Sequence, residues 1–165
     1  MKQNILITGG CGYVGSKLTE NLLNQGKNVK VIDTCWFGNN LKNHKNLKVI
    51  KKDIRNLKSK DFKNVDKVIH LANIANDPSV ELNQTLAWEV NCLALYKMLE
   101  FSKLYKIKQF IYASSGSVYG IKKERKVTED LSFIPISTYN KTKMIAERIL
   151  LSFEKDMKVH IVRPA

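Results

Sequence analysis

The stretch Thr8-Gly9-Gly10-Cys11-Gly12-Tyr13-Val14-Gly15 constrains the fold of this chain more than any other. The apolar run Ile5-Leu6-Ile7 enters it and a helical pattern leaves it, so it joins a strand to a helix. Gly9, Gly12 and Gly15 recur at every third position. The first allows a tight turn off the strand. The second removes a Cβ where a pyrophosphate would approach the backbone, and the third lets the helix pack close to the strand. N–H groups left unpaired at the helix start then face an anion, and the helix dipole adds to the attraction.

The rest of the chain repeats this alternation of strand and helix. Strands are predicted at Lys2 to Thr8, Asn28 to Asp33, Leu47 to Lys51, Val65 to His70, Gln109 to Ser114 and Lys158 to Arg163. A first helix runs from Tyr13 to Gln25 on Val14, Leu18 and Leu22, with Gly26 where a C-terminal cap belongs. Asp77 as a cap and Pro78 behind it open a long helix whose stripe is Leu82, Leu86, Val90, Ala94, Met98, Phe101 and Tyr105. Ser137 caps another helix, reaching Phe153. Trp36 to Asn46 reads as a polar loop. Such alternation predicts an α/β fold with a doubly wound parallel sheet in the order 3-2-1-4-5-6, forming one domain over residues 1–165.

Composition sets bounds on partners. No run of about 18 apolar residues exists to span a membrane, and Asn4 and Thr8 interrupt the short apolar start, so no secretory leader is expected. Cys11, Cys35 and Cys92 are far apart and lack C-x-x-C spacing; neither a disulfide framework nor a metal site is expected, and a reducing cytoplasm suits them. The net charge of +13 is concentrated between Leu41 and Lys67, where ten Lys and Arg meet only Asp53, Asp61 and Asp66. These cations are interspersed with Asn and apolar residues, without interleaved aromatics to stack bases. They read as solvated faces, and a nucleic-acid partner is not expected.

Three further positions carry chemistry. Asp33 closes the second strand, roughly twenty residues beyond the glycines, where a carboxylate accepts hydrogen bonds from the adenosine ribose. It would repel a 2′-phosphate and no arginine follows it directly, which favours NAD over NADP. Tyr139 and Lys143 stand four apart, on one face of their helix, and that face continues through Ala146 and Leu150. A tyrosine with a pKa of about 10 needs positive charge nearby to act as a base near neutrality. Lys143 and a nicotinamide ring would both supply it. Ser115 follows the fifth strand, at the sheet edge where open α/β folds bind ligands.

The glycine loop, Asp33, Asp53-Ile54, His70-Leu71-Ala72-Asn73, Asn91, Ser114-Ser115-Gly116-Ser117-Val118-Tyr119-Gly120, Tyr139 with Lys143, and Val162-Arg163-Pro164-Ala165 occur in an order that resembles the extended short-chain dehydrogenases/reductases. Within them the chain is similar to the NAD-dependent epimerase/dehydratase family acting on nucleotide sugars. The resemblance covers the whole chain and implies a Rossmann-like fold. It also implies roles. Tyr13 and Val14 offer backbone N–H groups to the pyrophosphate, and Asp53 and Ile54 flank the adenine. Leu71, Ala72 and Asn73 line the cofactor near its nicotinamide half, and Asn91 helps order the active site. Lys143 binds the nicotinamide ribose and lowers the Tyr139 pKa; Ser115, with Ser117 close by, holds the reacting hydroxyl; Tyr139 removes its proton as hydride passes to NAD. Two copies are expected to pair through the fourth and fifth helices.

Some positions depart from the family pattern. Gly116-Ser117 stands where dehydratases carry Asp-Glu, which counts against dehydration, and Asn73 to Ser79 differs from the usual epimerase stretch. Trp36 and Phe37 are read either as a cover over the adenine or as packing residues. His70 is read as a packing residue at a strand end, and Cys11 as a small residue in a tight turn rather than a nucleophile. Family members continue past the Arg-Pro motif into a lobe that grips the nucleotide sugar. The chain is therefore expected to hold most cofactor contacts and few substrate contacts. Two functions remain open: an NAD-dependent nucleotide-sugar epimerase or dehydrogenase, and a truncated, non-enzymatic NAD-binding or interaction module.

Overall fold

The computed structural model describes residues 3–164. Lys2 of the first predicted strand and Ala165 of the last motif lie outside the described residues. Six parallel strands form one sheet: β1 (Asn4–Thr8), β2 (Asn28–Asp33), β3 (Leu47–Lys51), β4 (Lys67–His70), β5 (Gln109–Ala113) and β6 (Lys158–Val162). Their order is β3-β2-β1-β4-β5-β6, as expected. Ile7 of β1 lies between Val31 of β2 and Ile69 of β4. The chain leaves β1 for one side and returns through β4 on the other, so a crevice opens at the carboxyl end of β1.

Helices cover the sheet on both faces. On one side α1 (Tyr13–Asn24) packs Leu23 against Ile5, Ile7, Val29 and Val31. On the other, Leu6, Ile32, Val68 and Phe110 meet Met98, Leu99, Ala146 and Leu150. Each fully buried Leu or Ile contributes about 1.5–3 kcal/mol from burial. The inward face of α1 is Gly15, Thr19 and Leu23, one residue on from the predicted stripe. Val14 is exposed, and Leu18 and Leu22 pack only partly against the core. The close approach of Gly15 to the glycine loop sets that rotation.

The long helix predicted from Asp77 is broken. It runs as α2 (Asp77–Leu82), α3 (Gln84–Trp88), a π-helical turn (Glu89–Leu93) and α4 (Ala94–Leu104). Asn76, not Asp77, is the cap, accepting from Ser79 N at 3.0 Å. Asn83 interrupts the run in an extended conformation and caps α3, its Oδ1 accepting from Leu86 N at 2.9 Å. A short side chain that satisfies backbone N–H groups outside a helix competes with helix continuation. Leu82 consequently points to solvent, 88% exposed. The π turn buries three residues in succession, Val90, Asn91 and Cys92, which a regular 3.6-residue period would not. The last helix, α5 (Thr138–Leu151), starts as expected, with Ser137 Oγ accepting from Asn140 N at 3.2 Å. It stops two residues before Phe153.

Candidate active site

The glycines at the carboxyl end of β1 answer different demands. Gly9 has φ +76°, and a Cβ there would lie 2.6 Å from Ala72 N. A Cβ on Gly15 would lie 2.1 Å from Gly9 O, and one on Gly10 would meet the Val31 side chain at 2.6 Å. Those three are required by the protein's own packing; Gly10 was not singled out in the sequence, although the Gly-Gly pair carried the signal. At Gly12 a Cβ would meet only Gly9 O, at 3.4 Å. Its bareness leaves an open cradle. Above that cradle α1 begins with no side-chain cap and no acidic residue in its first turn. Its leading N–H groups therefore point outward beside the exposed Tyr13 and Val14. A pyrophosphate fits this arrangement on shape and on charge.

From the cradle a groove runs across the sheet edge, lined by Gly9, Gly12, Asp33, Asp53, Ile54, Leu71, Ala72 and Asn73. Trp36 and Phe37 stand at its rim rather than in the core, Phe37 being 93% exposed. Leu71 and Ala72 are fixed by their N–H groups, which both donate to Thr8 O. Asp33 Oδ2 accepts from Cys11 N at 2.9 Å and its Oδ1 from Cys35 N at 2.8 Å. Asp53 is held by Arg55, which also donates to Glu89 at 2.6 Å. Partial burial opposes the Asp53 charge, but the Arg55 hydrogen bonds and charge hold it below the usual carboxylate range. Asn91 stands behind the groove. Its Oδ1 accepts from Ile74 N at 2.9 Å, and its Nδ2 donates to Ile74 O and Thr142 Oγ1. It braces the groove wall against α5.

All three cysteines are free, and two of them meet in the fold. Cys11 and Cys35, distant in sequence, bring their sulfurs to 3.8 Å. With Asp33 they set three donor atoms within 4.8 Å of one another. Spacing along the chain did not reveal this, because the β1 and β2 ends are neighbours only in the folded sheet.

Ser115, Tyr139 and Lys143 gather beyond the end of β5. Ser115 Oγ lies 2.8 Å from Ser117 Oγ, and Ser115 caps a 3-10 turn over Gly116–Tyr119. Lys143 is only 3% exposed; its Nζ donates to Ala113 O at 2.7 Å and lies 4.8 Å from the Tyr112 ring centre and 5.8 Å from that of Tyr139. Burial lowers its pKa to about 7, against the opposing pull of Cys92 and Glu147. The phenol of Tyr139 is pushed up, first by burial and further by the Asp77 carboxylate, while the Ser115 hydroxyl works the other way. The expected lowering of the Tyr139 pKa by Lys143 is thus not found in this arrangement. With its pKa at about 7, Lys143 is uncharged at the pH where the phenol ionises and does not favour the phenolate.

Glu147 has no counterpart among the residues expected from sequence. Fully buried on α5, it accepts from Arg163 Nε at 2.9 Å and from a terminal guanidinium nitrogen at 2.8 Å, and also from Ser114 Oγ. Arg163 in turn donates to Tyr119 Oη at 2.8 Å. This ion pair ties α5 to the ends of β5 and β6, fixing the floor beneath Ser115. The available signal was its spacing: four residues beyond Lys143 on the inward face, an acid needs a cation. Past Tyr119 the chain turns at Gly120 (φ +66°), where a Cβ would lie 2.1 Å from Ile134 O. Ile134 N donates to Val118 O, and Phe133 packs on Tyr119 at 5.4 Å and under Arg163 at 4.8 Å. His70 is a packing residue as expected: its Nδ1 meets Thr8 Oγ1 at 2.6 Å, and burial lowers its pKa to about 3.

Comparison with known proteins agrees with this geometry. A UDP-glucose epimerase of Bacillus subtilis described as uncharacterized, YtcB, is 36% identical over 171 residues, which is 96% of this chain and 54% of that protein. The structure of the UDP-N-acetylglucosamine 4-epimerase from Methanobrevibacter ruminantium, in complex with UDP-N-acetylmuramic acid, superposes with a TM-score of 0.92 at 32% identity, covering 99% of this chain and 55% of that one. The UDP-glucuronic acid 4-epimerase from Bacillus cereus, in complex with UDP-glucuronic acid and NAD, gives 0.87 at 31% identity, covering 98% and 56%. The chain spans about half the length of the relatives it resembles. With the family model matching residues 5–165, the chain belongs to the NAD dependent epimerase/dehydratase family.

Proposed function

We propose that this chain forms the NAD-binding and proton-transferring half of a nucleotide-sugar epimerase or dehydrogenase. The observation that carries the reading is the convergence of Ser115, Tyr139 and Lys143 beside a groove whose glycine cradle and Asp33 suit a dinucleotide. NAD, when bound, would accept and return a hydride. In the groove Gly9, Gly12 and Gly15 let the pyrophosphate reach the N–H groups of Tyr13 and Val14, Asp33 holds the adenosine ribose, and Asp53 and Ile54 bound the adenine. Leu71, Ala72 and Asn73 support the nicotinamide half, with Asn91 bracing them from behind. Ser115 holds a sugar hydroxyl, Tyr139 takes its proton, and Lys143 orients the nicotinamide ribose. The raised phenol makes Tyr139 a strong base once ionised, and the cation that favours ionisation is the oxidised nicotinamide.

UDP-sugars are the proposed substrates, by likeness to these relatives. No helix of the described residues is long and apolar enough to cross a membrane; with three free thiols, a cytoplasmic location is proposed. Exposed Leu93 and Tyr96 beside α4, and Ile145 and Leu151 on α5, suit pairing of two copies.

Tyr139→Phe tests the reading. NAD affinity by calorimetry is expected to persist, while turnover of a UDP-hexose falls by about 10²–10⁴-fold. NAD binding with no turnover, even when the chain is joined to the C-terminal half of a relative, would favour the non-enzymatic module. A folded chain that binds no NAD would sink both.

A further inference from the structure

We propose that Cys11 and Cys35 form a modification site, a dithiol that closes to a reversible disulfide across the adenosine end of the groove. Their sulfurs stand 3.8 Å apart, on the loops that leave β1 and β2. A disulfide requires about 2.05 Å, a closure within the reach of two side-chain rotations and a small loop shift. The pair is also preorganised. One carboxylate, Asp33, accepts the backbone N–H of both cysteines, at 2.9 and 2.8 Å. Cys35 is held at φ +55°, a left-handed conformation that a cysteine rarely adopts. Both thiols are half-buried rather than sealed, so a small oxidant can reach them; Cys92 is buried.

The oxidant is a low-molecular-weight disulfide. The Cys35 thiolate attacks one of its sulfurs, breaking that S–S bond and releasing one small thiolate. Cys11 then gives up its proton and attacks the Cys35 sulfur, forming the Cys11–Cys35 bond and expelling the second thiolate. The two protein thiols are oxidised by two electrons, and the small disulfide is reduced to two thiols that carry the two protons. The balance is the same whichever of the two thiols attacks first.

The effect on binding rests on the NAD reading proposed for this groove. Cys11 lies inside the glycine loop and lines the groove. Bonding it to Cys35 draws the pyrophosphate cradle toward the end of β2 and sets the bridge beside the Asp33 oxygens that a ribose would need. Oxidation is therefore expected to weaken dinucleotide binding at the adenosine end and to leave the Ser115, Tyr139 and Lys143 cluster undisturbed.

The 165-residue chain, freed of metal with a chelator and then treated with oxidised glutathione, tests this. Peptide mapping without reduction is expected to find the Cys11 and Cys35 peptides joined, 2 Da lighter than their sum, with Cys92 still alkylatable. NAD affinity is expected to fall at least tenfold and to return with dithiothreitol, whereas Cys35→Ser keeps its affinity in the presence of oxidant. Separate glutathione adducts on the two cysteines would overturn the proposal, as would a joined pair with unaltered affinity. Equimolar zinc in the chain as purified, lost in Cys35→Ser, would overturn it in favour of a metal site with Asp33. If the reduced chain binds no NAD, the cofactor reading falls, and the joined peptides alone decide the disulfide.

Discussion

The glycine end of the groove and the Ser115, Tyr139 and Lys143 cluster beside it are built by opposite means. At the glycine end the working surface is backbone: N–H groups at the start of α1, carbonyls at the end of β1, and the absence of side chains at Gly9, Gly10, Gly12 and Gly15. At the Ser115, Tyr139 and Lys143 cluster it is side chains, several of them ionisable and removed from water: Lys143, Glu147 and the partly buried Arg163. The first end depends on space and should be nearly indifferent to pH. The second depends on partnered charge and should be sensitive to it. A pyrophosphate needs only a rigid array of dipoles, whereas proton transfer needs a group whose protonation state the protein has set.

That contrast can be broken most severely at Glu147. Glu147→Ala leaves the Arg163 guanidinium without its bidentate partner, and a loss of about 3–5 kcal/mol in unfolding free energy is expected by denaturant titration. Replacing both, as Glu147→Leu with Arg163→Met, should recover most of it, since an apolar pair of similar volume removes the desolvation cost. If the single and double variants are equally unstable, charge pairing is not what holds that end.

The glycine end can be sharpened with a matched pair. Gly15→Ala drives a Cβ into the backbone of Gly9 and should cost about 1–3 kcal/mol, read as a lower thermal midpoint. Gly12→Ala meets only one distant carbonyl oxygen, so stability should change by less than about 0.5 kcal/mol while NAD affinity drops. Equal destabilisation by both would mean that Gly12, too, serves packing.

The most gradual effect is the pH slope from Lys143. Its folded pKa of about 7 lies below its unfolded value of 10.5, so between those values the unfolded chain holds a proton that the folded chain has lost. Stability therefore rises with pH across that window, by at most about 1.4 kcal/mol per pH unit, and the burial penalty is fully present below pH 7. Lys143→Met should lose this rise. An unaltered slope would show that the ammonium stays charged in the fold.

How far sequence alone reached obeys the same division. The strand order, the roles of Gly9 and Gly15, and the groove position of Asp33 were legible because each is a local pattern with a steric or periodic cause, whereas Asp53 and Leu71 to Asn73 were placed by the family resemblance. The Glu147–Arg163 pair and the Cys11–Cys35 approach were not, because their partners meet only once the sheet is assembled. The broken helix after Asn76 failed for a different reason. Its apolar stripe was real from Leu86 to Tyr105, but Asn83, whose side chain caps α3, ended the run opened at Asp77 and left Leu82 outside the core. Spacing put Tyr139 and Lys143 on one face of α5, whereas the direction of the Tyr139 pKa shift depended on burial that spacing does not reveal.

Gly120 and Phe133-Ile134 bear on how such a chain can diversify. Because the neck at Val118, Gly120 and Ile134 is closed by a backbone hydrogen bond and by the Phe133 ring, the excursion from Ile121 to Ser132 is mechanically isolated from Ser115 and Tyr139. Doubling its length would cost only about 0.6 kcal/mol of closure entropy. Grafted loops of other lengths and chemistries can therefore be hung there to recognise new molecules, with the reacting groups left in place.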